Sequence, residues 1–317
     1  MPSRAPMTPR GINPRLAKLQ SDPLYHLGLN KNMDLVEDPK LQGKDLTKLF
    51  GDTKIVCMGG SSDRMTHFAE RMATEIPELG VDPKKLHPIG KTERFTLHKV
   101  GPILSVSHGM GIGSIRILLH ELTKLLYYAG GSTRGILDRV EYIRIGTSGG
   151  IGAKIGQVVL STRAIHPRTL KPVDEIYRMG TTHQFPTEFD SALRERIFAA
   201  QGDIEVVVGD TLAANCFYEE EPNLFGALDA GYGKAEQREW AEELKRLGMK
   251  NTEMEATALA GFCGRAGIAA ADVCAVLDRM GGRVTATKDE LALYSDRAQT
   301  VVIRYIQSRR EDLITSS

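Results

Sequence analysis

An arginine inside an apolar strand, followed at once by glycines, is the feature of this chain best suited to chemistry: Tyr142-Ile143-Arg144-Ile145-Gly146-Thr147-Ser148-Gly149-Gly150-Ile151-Gly152. A guanidinium in apolar surroundings is costly unless it is paired or partly solvated. Glycines let the main chain approach a ligand and present its N–H groups to an anion. Arg144, Thr147 and Gly149 therefore form a candidate phosphate cradle, against the plainer reading of a strand with an exposed arginine and a flexible turn. Three further segments add to it. Gly59-Gly60-Ser61-Ser62-Asp63-Arg64 runs from a strand into a helix N-terminus, where free amides favour an anion. Ser105-Val106-Ser107-His108-Gly109-Met110-Gly111 repeats the order of strand, glycine turn and helix. His108 is either a ligand contact or, more commonly for such a residue, a ring satisfied by a nearby backbone carbonyl. Asn251-Thr252-Glu253-Met254-Glu255 sets two carboxylates around a methionine at a helix start. There they either cap the macrodipole or accept hydrogen bonds from a vicinal diol, as a ribose requires.

Apolar periodicity predicts the elements that hold these segments. Residues 54–58 read as a short buried strand, and Met65, Phe68, Ala69 and Met72 recur at helical spacing behind a Ser61 or Ser62 cap. Residues 95–100 and 103–106 read as a hairpin turned at Gly101-Pro102, and Ile115, Leu118, Leu119, Leu122, Leu125 and Leu126 as one face of a helix. Further strands are expected at 140–145, 156–164, 204–208 and 272–277, and helices at 190–200, 234–247, 255–265 and 291–309. Strands and helices alternate, which argues for an α/β fold: a single three-layer domain with a mixed, largely buried central sheet flanked by helices. The segment before Thr53 is polar and broken by Pro and Gly, so irregular structure with short helices is expected there. Residues 1–23 are assigned to an irregular or disordered tail and 24–317 to the domain.

Bulk properties exclude several classes. The 317 residues carry 41 Lys plus Arg against 40 Asp plus Glu, a net charge of +1, which is no footprint of a nucleic-acid binder. Four scattered cysteines (Cys57, Cys216, Cys263, Cys274) without a CxxC pair argue against a disulfide framework or structural zinc and for a reducing, cytoplasmic setting. No window reaches the ~20 apolar residues of a membrane span. Residues 1–15 have no apolar core of a secretory signal; the absence of acidic residues would suit an organelle-targeting segment, but short length and proline favour a tail.

Taken together, the motifs resemble the nucleoside phosphorylases, and within them the uridine phosphorylases of eukaryotic type. The resemblance runs from Leu24-Tyr25-His26 through Gly59-Gly60-Ser61, the Ser105–Gly111 segment, the Arg144 segment and Phe217-Tyr218 to Glu253-Met254-Glu255. It implies the nucleoside phosphorylase fold and phosphorolysis: inorganic phosphate, a co-substrate, attacks C1′ of a nucleoside and releases the base and ribose 1-phosphate. It assigns phosphate binding to Gly60, Arg64, Arg144 and Thr147, with Arg94 supplied by a neighbouring subunit. Met254 and Glu255 would hold the ribose, with the neighbour's His26 at the 5′-hydroxyl, and Phe217 would stack on the base. Arg144, Glu255 and Arg64 would carry the catalysis. Shared sites imply a homodimer or larger homo-oligomer, with no metal, organic cofactor, nucleic acid or membrane.

The chain departs from this family at the base. Uridine phosphorylases read uracil with a Gln and, two residues later, an Arg; Glu221 and Asn223 occupy those positions here. A carboxylate only accepts hydrogen bonds, and a mispaired buried polar group costs ~1–3 kcal/mol. Asp278 precedes Arg279 where uridine phosphorylases typically have Asn, and related purine phosphorylases have Asp. Three readings follow. The first is a uridine-type phosphorylase with Arg279 replacing the lost cation. The second is a preference for 6-oxopurine nucleosides through Glu221, Asn223 and Asp278. The third is a non-catalytic nucleoside-binding protein, against which the retained arginines and Glu255 argue.

Overall fold

The computed structural model of the chain describes residues 23–90, 92–280 and 286–314, with the backbone alone at Pro23 and Arg279. Two short paired strands, β1 (Pro23–Leu24) and β2 (Leu29–Asn30), and a one-turn helix, α1 (Leu46–Phe50), precede the central sheet and pack into the same core as α3. Then β3 (Ile55–Gly59) leads into α2 (Ser62–Glu75), and the hairpin β4 (Leu97–Val100) and β5 (Ile103–Ser107) into α3 (Gly111–Ala129). β6 (Glu141–Gly150) and β7 (Val158–Ile165) are followed by a separate hairpin, β8 (Val173–Arg178) and β9 (Thr181–Pro186), and by α4 (Ser191–Ala199). β10 (Val206–Ala213), α5 (Lys234–Arg246), β11 (Met249–Glu253), α6 (Ala256–Ala266), β12 (Ala269–Arg279), α7 (Lys288–Ser308) and α8 (Arg310–Ile314) complete the order.

Eight strands form one mixed sheet in the order β11-β10-β7-β12-β6-β3-β5-β4. Because side chains alternate across a strand, each buried strand feeds two cores. Val56 and Met58 of β3 join the apolar core under α3 and α6, whereas Ile55 and Cys57 join a second core under α2, α4 and α7. This is the three-layer arrangement expected from the alternation of elements. One further pairing shapes the site. β11 pairs not only with β10 but also, antiparallel, with the end of β6, so β6, β12, β7, β10 and β11 close into a ring.

Ring closure accounts for the main differences from the sequence expectations. The strand expected to stop at 145 continues through Gly150, and Gly149 and Gly150 pair with Thr252 and Asn251 instead of making a flexible turn. Residues 251–253, expected at a helix start, belong to strand β11; their polar side chains gave no apolar alternation to read, yet Asn251, Thr252 and Glu253 are buried. β12 begins at Ala269, not 272, because three alanines carry little strand signal on their own. The polar hairpin of β8 and β9 gave no signal either. Of the expected tail at 1–23, residues 1–22 lie outside the described residues, and Pro23 opens β1.

Gly146 shows how tightly β6 is constrained. A Cβ there would lie 2.8 Å from Arg144 Nη1 and 2.9 Å from Cys274 Sγ, and the arginine is anchored by ion pairs that keep it from yielding. Gly146→Ala is therefore expected to destabilise the protein by about 1–3 kcal/mol, the usual cost of overpacking. Denaturant unfolding of both proteins checks this, and an unchanged midpoint would show that the guanidinium has room to move.

Candidate active site

The strand ends converge on one cavity of about 280 Å³. β3 delivers Gly60, and α2 starts one residue after Ser61, whose hydroxyl accepts from the Arg64 N–H and so serves as the predicted cap. The first turn of α2 then carries the Arg64 side chain to the cavity wall. Gly109 and Gly111 adopt φ of +72° and +82°, the left-handed region glycine tolerates, and turn the chain from β5 into α3. β6 brings Arg144 and Thr147, β11 brings Thr252 and Glu253, and β12 brings Asp278.

Arg144 is 3% exposed, and both of its terminal nitrogens are committed to acceptors, whereas its buried Nε has no hydrogen-bond partner among the described residues. Its Nη1 lies 3.0 Å from Glu253 and 2.8 Å from Asp272, and its Nη2 donates to Glu255. Burial alone would lower its pKa; Glu253, Glu255, Cys274 and Asp272 outweigh that and hold the guanidinium charged well above the ordinary range. The reading of an exposed arginine is thus corrected: the guanidinium is buried and paired, the alternative that its apolar strand allowed. A hydrogen-bonded chain continues from it around the ring. Asp272 of β12 accepts from Ser161 of β7 at 2.8 Å, Ser161 meets Thr211 of β10 at 2.6 Å, and Thr211 donates to Asn251 of β11 at 2.7 Å.

Arg64 is different. Among the described residues it has no carboxylate partner, and its Nη1 reaches only the Thr147 hydroxyl, at 3.5 Å. Burial and the neighbouring Arg144 charge lower its pKa, the condition an incoming anion would relieve. Gly60 and Thr147 lie beside it on the cavity wall. His108 does not line the cavity: it is fully buried, and burial with the Arg144 charge holds its ring neutral.

Glu255 joins three parts of the fold. It accepts from Arg144 Nη2 and from the Gly111 N–H at the start of α3, and it is itself the N-cap residue of α6. The free amides of α6 are instead taken by Glu253, which accepts from the Glu255 and Ala256 N–H groups at 2.7 and 3.0 Å. Met254 lines the cavity between the two carboxylates. A carboxylate has about four acceptor sites, so Glu255 can bind hydroxyls beside its present partners.

The far end of the cavity is acidic. Glu221 is 7% exposed and accepts from the Thr252 hydroxyl at 3.1 Å; burial is the main reason its carboxyl is raised to about 7, with Asp278 and Glu255 adding to it. Burial also raises Asp278. Phe217 lies on the same wall, edge-on to Tyr218 with centroids 5.2 Å apart. Asn223 donates one amide hydrogen to the Phe217 carbonyl at 2.6 Å, which folds the loop on itself. Arg279 ends β12, and its side chain lies outside the described residues.

Two expected site residues are not at this cavity. His26 and Arg94 sit together elsewhere: Thr92 donates to the His26 carbonyl at 2.6 Å and accepts from the Arg94 N–H at 3.0 Å. The His26 ring is held by Glu121 of α3, 2.6 Å away. Sequence reasoning missed Glu253, Asp272 and Cys274 as partners of Arg144, and Thr252 as partner of Glu221. Asp272 was legible in principle: an aspartate amid Ala269-Ala270-Ala271 and Val273 needs a buried partner.

Residues 54–307 match the Phosphorylase superfamily. Uridine phosphorylase 1 of Mus musculus is 37% identical over 303 residues, covering 93% of this chain and 91% of that protein. Inactive uridine phosphorylase B of Schistosoma mansoni is 35% identical over 303 residues, covering 93% and 95%. The crystal structure of Schistosoma mansoni uridine phosphorylase in complex with uracil has a TM-score of 0.83 at 34% identity, covering 95% of this chain and 99% of that one. The superfamily match spans every strand that lines the cavity, and the likeness extends over nearly the whole of both chains. The chain therefore belongs to the phosphorylase superfamily, among the eukaryotic-type uridine phosphorylases, nucleoside phosphorylases that transfer a pentosyl group to phosphate.

Proposed function

We propose that this enzyme phosphorolyses uridine, giving uracil and ribose 1-phosphate, in cytoplasmic nucleoside salvage. The observation that carries the assignment of the phosphate end is Arg64: a half-buried cation on the cavity wall, next to a second arginine and, among the described residues, without a carboxylate of its own. An anionic co-substrate supplies the missing charge, and guanidinium–phosphate hydrogen bonds are strong and directional. Gly60 and Thr147 stand beside it as further donors. Arg144 would reach phosphate while bound to Glu255, so one ion pair would set phosphate and sugar relative to each other.

As the C1′–N bond lengthens, positive charge gathers on the ribosyl group and negative charge on the base. Glu255 and Met254 would hold the 2′- and 3′-hydroxyls, and the carboxylate would stabilise the ribosyl cation. Arg64 and Arg144 would aim phosphate at C1′. Phe217 would cover the base, with Glu221, Asn223, Asp278 and Arg279 at its edge. The scheme draws on inorganic phosphate and side chains alone. The backbones of His26 and Arg94 are linked through the Thr92 hydroxyl, and neither residue lines its own cavity, which supports their use in a partner's site and a homodimer as the working unit. The 6-oxopurine reading is not favoured: the relatives are uridine phosphorylases, and Asn223 already spends an amide hydrogen on Phe217.

Base release from uridine, thymidine, cytidine, inosine, guanosine and adenosine, with and without phosphate at pH 6, tests this. Uridine should be cleaved fastest and only with phosphate. Faster inosine or guanosine cleavage would overturn the base assignment, and phosphate-independent release would overturn phosphorolysis.

The pairing of Arg144 yields a second expectation. Arg144→Ala strands three carboxylates and should cost about 3–5 kcal/mol, enough to threaten folding. Arg144→Lys keeps the charge but loses the planar fork. It should fold, as judged by circular dichroism, with kcat/KM for uridine at least ~100-fold lower. Near-normal turnover would refute the role given to the guanidinium.

A further inference from the structure

The reading of uridine leaves a difficulty at Glu221. Where the family's Gln presents one donor and one acceptor to the uracil edge, an ionised carboxylate presents acceptors alone and would oppose a uracil carbonyl. We propose that Glu221 reads uracil as a neutral carboxylic acid, a donor–acceptor pair equivalent to the Gln amide, so that the base site of this enzyme is titratable.

Position and surroundings carry the inference. Glu221 is buried at the base end of the cavity beside Phe217 and Thr252. Among the described residues no ion pair reaches it. The charged groups facing it are mostly of its own sign: Asp278 from β12 and Glu255 at the start of α6, with Arg144 of β6 the opposing cation. From α5, the neutral Gln237 amide donates to the Pro222 carbonyl next to it. Burial, Asp278 and Glu255 push its carboxyl up to about 7 against the hydrogen bond from Thr252 and the pull of Arg144, so the acid form is well populated at neutral pH. Thr252 also orients the group. Its hydroxyl donates to Oε1, which marks Oε1 as the carbonyl oxygen and leaves Oε2 to carry the proton. Oε2–H can then donate to a uracil carbonyl while the free lone pair of Oε1 accepts from N3–H. The pairing needs no second reader, which fits the loss of the family's Arg at Asn223.

The sign of the pH dependence follows. The acid form binds uracil and the ionised form does not, so binding weakens as pH rises through about 7, and binding above that pH takes up a proton. Titration calorimetry of uracil at pH 6 and pH 8, each in two buffers of different ionisation enthalpy, measures both effects. The wild-type protein should bind about 10-fold more weakly at pH 8 than at pH 6. Proton uptake should be near zero at pH 6 and approach one per site at pH 8. Glu221→Gln should bind equally at both and take up none. Equal wild-type affinity at both pH values without uptake, or the wild-type pH dependence persisting in Glu221→Gln, would overturn the proposal. If uridine is cleaved at pH 6 but uptake is absent, the neutral reader alone fails. If uracil is not bound and uridine not cleaved at either pH, the uridine reading fails and takes this proposal with it.

Discussion

A guanidinium shut away from water must be surrounded by acceptors, and much of this fold answers that need at Arg144. Asp272 is its direct neighbour across the β6–β12 pairing. Glu253 and Glu255 come from the other side, at the junction of β11 and α6, and β11 reaches β6 only because the sheet closes on itself. The register that sets Cys274 opposite Gly146 also lays the arginine over a residue with no Cβ. Each strand of the ring contributes one member of a polar chain: Arg144, Asp272, Ser161, Thr211 and Asn251. Such a network is worth more complete than partial, since a single missing partner leaves a buried group unsatisfied. The ring and the buried ion cluster therefore support each other.

The cavity built on this base has a polarity along its length. Arg64 and Arg144 mark one end, Glu221 and Asp278 the other, and Glu255 stands between them, bonded to Arg144 and to the α3 N-terminus. A reaction that brings an anion to one face of a sugar and expels a base from the other uses both ends. The acidic end would repel a base leaving as an anion if its carboxyls were fully ionised. The upward shift of the Glu221 carboxyl to about 7, caused chiefly by burial, reduces that repulsion near neutral pH.

What the sequence revealed and concealed divides along physical lines. β3 with α2 and β5 with α3 were legible because apolar periodicity and glycine turns coincide there. Gly60, Arg64, Arg144, Thr147, Met254 and Glu255 do meet at one cavity. The closure of the sheet was not legible. β11 is a buried strand of polar residues, and its burial depends on pairing with β6 and on partners such as Thr211 and Glu221, which lie far away in the sequence. The same holds for Arg144: its apolar strand shows that a partner is required, but only register identifies Asp272. The same is true of His26 and Arg94, distant in sequence, whose backbones are linked through the Thr92 hydroxyl.

Glu221 shows why likeness along the whole chain does not determine base chemistry. One relative named a uridine phosphorylase and another named inactive are 37% and 35% identical to this chain over 303 residues each, a difference too small to separate catalysis from its loss. The protonation of a cavity side chain is set by its neighbours as much as by residue type. At position 221 a Gln-to-Glu change looks like the loss of a donor when the residue is taken alone. Buried beside Asp278, with Thr252 holding one oxygen, the same carboxyl can recover that donor by keeping its proton. The burial that makes the substitution costly for a carboxylate is then what lets the acid replace the amide.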